Sequence, residues 1–317
     1  MVTQVFAKVG ALFLMLVIGA LARRKKIITT ESLDSLCRVV LHVTLPFLFI
    51  YVLSSRCIGD TIVSLWTAPV FAVSVIFVSY GVSLIAAKLI KVPEEKKGTF
   101  KFLISFQNSG FLAIPIGYAL FGDNGVLYII IFNIGFNLLL WTLGVRLMNP
   151  APYGAGRSGQ GASTKVSLFG NLVNTGTVAL ALGIVLGVFC IKLPKFFMDA
   201  SRLMGDATIP LAMIVTGAIL GGTAIRSGVD MKRIATIAFC KLILIPAIFL
   251  GVAKCLPNIS DLMRSIIVLQ ACMPSAASSP LFAKRFGGDY DLAASAVFFT
   301  TLISIITVPF FMSLVSS

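Results

Sequence analysis

Phe106-Gln107-Asn108-Ser109-Gly110-Phe111-Leu112-Ala113-Ile114-Pro115 lies inside a long apolar run and cannot form an uninterrupted helix. Pro115 lacks a backbone donor and its ring crowds the preceding turn, while Gly110 weakens the helix further. A second stretch, Gln270-Ala271-Cys272-Met273-Pro274-Ser275-Ala276-Ala277-Ser278-Ser279-Pro280, brackets three serines between two prolines. In hydrocarbon, a break of this kind is tolerated only where the freed N–H and C=O groups meet protein, water or ligand. Both breaks should therefore face an internal cavity.

The surrounding composition sets the class. The chain has 317 residues, of which 58% are hydrophobic and 12% charged, against about 45–50% and roughly 25% in a soluble domain. A mean hydropathy of +1.00 excludes a soluble α/β enzyme, a disulfide scaffold and a disordered chain. Runs long enough to cross a bilayer fall at 2–22, 33–54, 65–90, 99–121, 124–148, 167–190, 199–222, 231–254, 262–283 and 289–314. They are continuous apolar blocks without the alternation of a barrel wall, so they predict helices. The expectation is an all-α polytopic membrane protein with ten spans, spans 4 and 9 being broken.

The two halves resemble each other. A shift of 164 or 165 residues aligns Thr44-Leu45-Pro46 with Thr208-Ile209-Pro210, Pro115 with Pro280, and Phe121-Gly122 with Phe286-Gly287. Five spans per half is an odd number, so the second half enters the membrane in the opposite sense, as an inverted repeat. The units expected are 1–148, a Gly/Pro/Ser-rich linker at 149–166, and 167–317.

Lys and Arg in alternate connections give the sidedness. Eighteen of the 26, from Arg23-Arg24-Lys25-Lys26 to Lys284-Arg285, fall on one face and seven on the other, leaving only Lys241 inside a span. The richer face is cytoplasmic, so both termini are expected outside and the linker inside, in a plasma membrane. The net charge of +14 is thus topological, and no nucleic-acid partner is implied. Ala20-Leu21-Ala22 imitates a signal-peptide cleavage site, but the four cations after it resist translocation, so the run is kept as the first span. The six cysteines show no CxxC spacing and are read as small packing residues.

The breaks define the candidate substrate site. Each second half-helix would begin around Pro115 or Pro280, with Ser279 as N-cap, and turn its positive dipole end toward an anion. The first halves end in free carbonyls that, with Asn108 and Gln270, could complement a cation or a donor. The lining set is Asn108, Ser109, Gly110, Pro115, Gln270, Pro274, Ser275, Ser278, Ser279 and Pro280. Asn133 and Asn137, one turn apart on span 5, join it by sharing a helix face. His42 and Asp206 precede the repeat-equivalent Pro46 and Pro210, which makes them candidates for proton coupling or simply bonded groups. Lys241 either balances an anionic substrate or snorkels toward the cytoplasm. Gly183-x-x-x-Gly187 and Gly217-x-x-x-Gly221 permit close helix contact, within one protomer or across a homodimer.

Asn108, Gly110 and Pro115, followed by Phe121-Gly122-Asp123 and the Pro274 to Pro280 segment running into Phe282-Ala283-Lys284, resemble the auxin efflux carrier family. That family includes bacterial malonate and malate permeases and lies in the superfamily of bile-acid and arsenite transporters. The resemblance covers nearly the whole chain. It implies spans 1, 2, 6 and 7 as a scaffold, spans 3 to 5 and 8 to 10 as a moving domain, and broken spans crossing at the substrate. Two departures stand out: Asn174-Thr175 replaces the Asn-Pro of many members, and span 3 lacks the acid and base of plant members. The plant-hormone assignment is therefore not carried over. Span 9 also lacks the acidic residue of sodium-coupled relatives.

With no Walker motif, one histidine and no HExxH, neither ATP hydrolysis nor an intramembrane enzyme is expected, nor a cofactor. The function expected is secondary, elevator-type transport of a small mono- or dicarboxylate; the alternative is a sodium-coupled organic anion symporter of bile-acid type.

Overall fold

The computed structural model describes residues 2–59, 65–149, 175–223, 230–256 and 259–315. Among these residues every regular element is helical. In chain order they are α1 (Val2–Arg24), α2 (Thr30–Val39), α3 (Leu45–Ser54), α4 (Thr67–Leu89), α5 (Glu94–Ser105), α6 (Ala113–Leu139) and α7 (Val145–Met148). Then follow α8 (Thr175–Val188), α9 (Lys195–Gly222), α10 (Met231–Phe239), α11 (Ile245–Cys255), α12 (Asp261–Cys272), α13 (Ser279–Phe286) and α14 (Tyr290–Val315). Seven helical stretches are long and apolar enough to cross a membrane. Apart from Asn149, the linker expected at 149–166 lies outside the described residues, as does Asn174.

Local chemistry explains several boundaries. Thr29 and Ser32 form a reciprocal capping box that starts α2. The Asp230 carboxylate accepts from the backbone N–H of Lys232 and Arg233 at the start of α10, and Ser260 Oγ accepts from Met263 N–H at the start of α12. The pairs α2–α3, α6–α7 and α10–α11 each continue through a π turn, at Val40–Thr44, Leu140–Gly144 and Cys240–Leu244. Two of these turns run directly into Leu45-Pro46 and Ile245-Pro246. A proline ring crowds the carbonyl four residues back, and the widened turn relieves it, with Leu45 N–H reaching back five residues to the Val40 carbonyl.

The helices sort into two packing groups. In the first, α1 lies on α9, and α3 lies on both α8 and α9. The close approach needs glycine: a Cβ on Gly217 would stand 1.9 Å from the Leu16 carbonyl oxygen, and one on Gly187 would stand 2.3 Å from that of Leu53. Both small-residue motifs are thus used within one protomer. In the second group, α4, α5, α6, α12 and α14 surround the two breaks, with α10 and α11 outside them. Direct contacts of α1 and α3 with α6, and of α1 with α14, join the groups.

The reading of all six cysteines as packing residues is corrected. Cys57, after α3, is disulfide-bonded to Cys190, after α8. Their separation of 133 residues carries no local signature, because the pairing depends on α3 and α8 lying side by side. Cys37, Cys240, Cys255 and Cys272 are free.

Candidate functional site

The helix α5 stops at Ser105, ahead of Gly110, and α12 stops at Cys272, just ahead of Pro274, which disfavours helix at the residue before it. The two non-helical segments that follow meet each other. Asn108 N–H donates to the Pro274 carbonyl at 2.8 Å and Ala276 N–H to the Phe106 carbonyl at 3.1 Å, an antiparallel bridge between Gln107 and Ser275. Backbone groups that lipid could not satisfy are thereby paired. Ser275 adds two bonds, its Oγ donating to the Leu103 carbonyl at 2.7 Å and its N–H to Thr300 Oγ1 at 3.3 Å.

Chain then re-enters helix on either side. Pro115 sits in the first turn of α6 and Pro280 in that of α13, where a missing N–H costs nothing. The expectation that Ser279 is the N-cap is corrected: Ser278 occupies that place, and the Ser279 hydroxyl turns back to the Ala276 carbonyl at 2.6 Å. A short serine can bond its own preceding turn, and it does so here in preference to capping. Farther on, Gly122 (φ 61°) and Gly287 (φ 86°) adopt left-handed backbone. Asp123 pairs with Arg56 at 3.9 Å, and Asp289 with Lys96 at 3.2 Å.

At the crossing the side chains are not fully satisfied. Both amide atoms of Gln107, both of Gln270, and Nδ2 of Asn108 are buried without a hydrogen-bond partner among the described residues. Each such group costs about 1–3 kcal/mol unless a ligand or water satisfies it, and five of the eleven such atoms among the described residues fall on three residues in or beside the breaks. Ser109 is bonded to Asn133: its hydroxyl donates to Asn133 Oδ1, and Asn133 Nδ2 donates to its carbonyl at 3.4 Å. Gly110, Ser278 and Pro280 are half-buried, and a Cβ on Gly110 would meet nothing within 4 Å, so there is room beside the first break. An apolar cavity of about 180 Å³ lies between α1, α9 and α14.

A family model described as "Membrane transport protein" matches residues 4–312. The chain belongs to that family, the one that includes the auxin efflux carriers. It is 25% identical over 300 residues to an uncharacterized transporter of Methanocaldococcus jannaschii, covering 93% of this chain and 94% of the relative. A second uncharacterized transporter, of Methanothermobacter thermautotrophicus, is 25% identical over 302 residues, 94% of each chain. The protein PIN-LIKES 6 of Arabidopsis thaliana is 28% identical over 172 residues, 48% of this chain and 40% of its own.

In this membrane transporter the remaining expected residues part company. Asn137 is exposed while Asn133 is buried, so the two do not share one environment. His42 is exposed, with Nδ1 2.8 Å from Thr175 Oγ1, and Asp206 is exposed, 3.9 Å from Arg202. Neither joins the crossing. The snorkelling reading of Lys241 is corrected: it is fully buried, and Nζ donates to the Ile104 carbonyl at 3.0 Å. That carbonyl is released because α5 ends one residue later, and a helix C-terminus attracts a cation. Sequence reasoning selected Asn108 and Gln270 but passed over Gln107 and Thr300. Gln107 had a visible signal, a second amide adjacent to Asn108 in the same break.

Proposed function

We propose that this membrane transporter carries a small organic anion, a mono- or dicarboxylate, through the crossing of the two breaks. The observation that carries the reading is the set of buried, unpartnered amide atoms on Gln107, Asn108 and Gln270. They stand beside segments from which α6 and α13 start, and helix N-termini favour negative charge. Amide N–H groups can donate to a carboxylate, and the dipoles supply attraction without a full counter-charge. The division into two packing groups supports an elevator movement. In it, the group around the breaks slides against α1, α3, α8 and α9, in a ten-span chain of two inverted halves spanning 1–148 and 167–317.

The same reading puts both termini and the Cys57–Cys190 disulfide on the outer face of a plasma membrane, a side where disulfides persist. Glycine contacts used inside the protomer leave other faces of α1 and α8 for a homodimer. His42 and Asp206 are the proposed proton-coupling groups.

Flux in proteoliposomes, with a panel of mono- and dicarboxylates and imposed pH and sodium gradients, tests this. Accumulation of at least one carboxylate, lost in Asn108→Ala, is expected. Transport of none, or flux unaltered in that variant, would remove the anion reading. Stimulation by sodium would favour the bile-acid-type symporter, and indifference to pH in wild type, His42→Gln and Asp206→Asn would remove proton coupling.

A further inference from the structure

Lys241 is the one acidic or basic side chain that is buried among the described residues, and no buried carboxylate accompanies it there. Among the described residues the ion pairs lie elsewhere, on partly exposed groups. A lone ammonium is very costly to bury unless something else supplies negative charge. Here the backbone supplies it. Nζ donates to the Ile104 carbonyl in the last turn of α5. The π turn bearing Lys241 packs on both α5 and α12. The ammonium therefore stands at the carboxyl end of α5, whose freed carbonyls carry a partial negative charge, with α12 packed against the turn that bears it.

Freed carbonyls at half-helix ends are the groups that hold a coupling cation in carriers with broken helices. We propose that the Lys241 ammonium is a tethered cation occupying that position, so that the crossing is held together without a free sodium or potassium ion. The inference deepens the reading of the breaks as a transport site by naming what stands in for its coupling ion. A compact ammonium with three donors suits the place, as a planar guanidinium would not.

The test needs no organic anion, so its failure and the failure of the anion reading are separable. Thermal unfolding of the purified full-length chain is followed in choline chloride, with sodium, potassium, ammonium or methylammonium chloride replacing it at constant ionic strength. Wild type is expected to be indifferent to the cation. Lys241→Ala should melt lower by on the order of 5 °C in choline and recover saturably with methylammonium or another small cation. Lys241→Gln keeps a donor for Ile104 and removes only the charge, and it carries the test if Lys241→Ala does not survive extraction. Variants that no small cation stabilises would overturn the proposal. So would a wild type stabilised saturably by sodium, which would reveal a free cation site at the crossing.

Discussion

Between Ser105 and Ala113 the chain leaves amide atoms of Gln107 and Asn108 unpaired, whereas between Cys272 and Ser279 the buried Ser275 hydroxyl has a carbonyl to bond, as does that of Ser279 at the edge of the break. The first break also receives its closing bonds from other elements: Lys241 on Ile104, Ser275 on Leu103, Ala276 on Phe106. The second break gives donors through its serines, and its free amide is that of Gln270, in the last turn of the helix before it. The two interruptions thus differ in emphasis: the first presents amide atoms from within the break itself, while the second braces that segment and presents only Gln270.

That division can be broken by substitution, and the largest effect is expected in the first break. Gln107→Leu removes donors that have no partner in the protein, so carboxylate affinity should fall roughly ten- to a hundredfold. Its melting temperature should hold or rise, because an unsatisfied buried amide goes with it. Titration calorimetry alongside thermal unfolding reads both; unchanged affinity would show that the first break presents nothing.

Ser275→Ala tests the bracing half. It strands the buried Leu103 carbonyl and should cost about 1–3 kcal/mol of stability, with a smaller loss of affinity than Gln107→Leu. If affinity falls more than stability, the two duties are not separate.

The smallest contrast lies just beyond the breaks. Gly122 has φ 61° and ψ −152°, where a side chain costs about 1–3 kcal/mol. Gly287 has φ 86° and ψ 19°, close to the left-handed helical region, where the cost is nearer 1–2 kcal/mol. Neither has an atom within 4 Å of an added Cβ, so backbone strain alone decides. Gly122→Ala should therefore destabilise more than Gly287→Ala in parallel unfolding measurements, and equal losses would contradict the assignment.

The breaks were legible in the sequence because proline and glycine act on their own turn: Pro115 and Pro280 each fall in the opening turn of a new helix and Pro274 follows the end of α12, although Pro210 and Pro309 are accommodated inside α9 and α14. The apolar runs were legible for the same local reason. What was not legible depends on which groups are neighbours in space. Lys241 and Ile104 are 137 residues apart, Cys57 and Cys190 lie on different helices, and whether Gln107 is satisfied depends on everything packed around it. Ser279 shows the limit within a single turn, since a serine in that position has two local acceptors or donors to choose between.

The Cys57–Cys190 bond joins α3 to α8, two helices of one packing group, while next to it Arg56 reaches Asp123 and Asn124 in the other group. The permanent clasp therefore lies inside one body, and the tie across the boundary is ionic and half-exposed to solvent. If the two groups move past one another as proposed, such a displacement would have a releasable ionic latch to open here and no covalent tether to stretch, and the disulfide would stiffen one body alone.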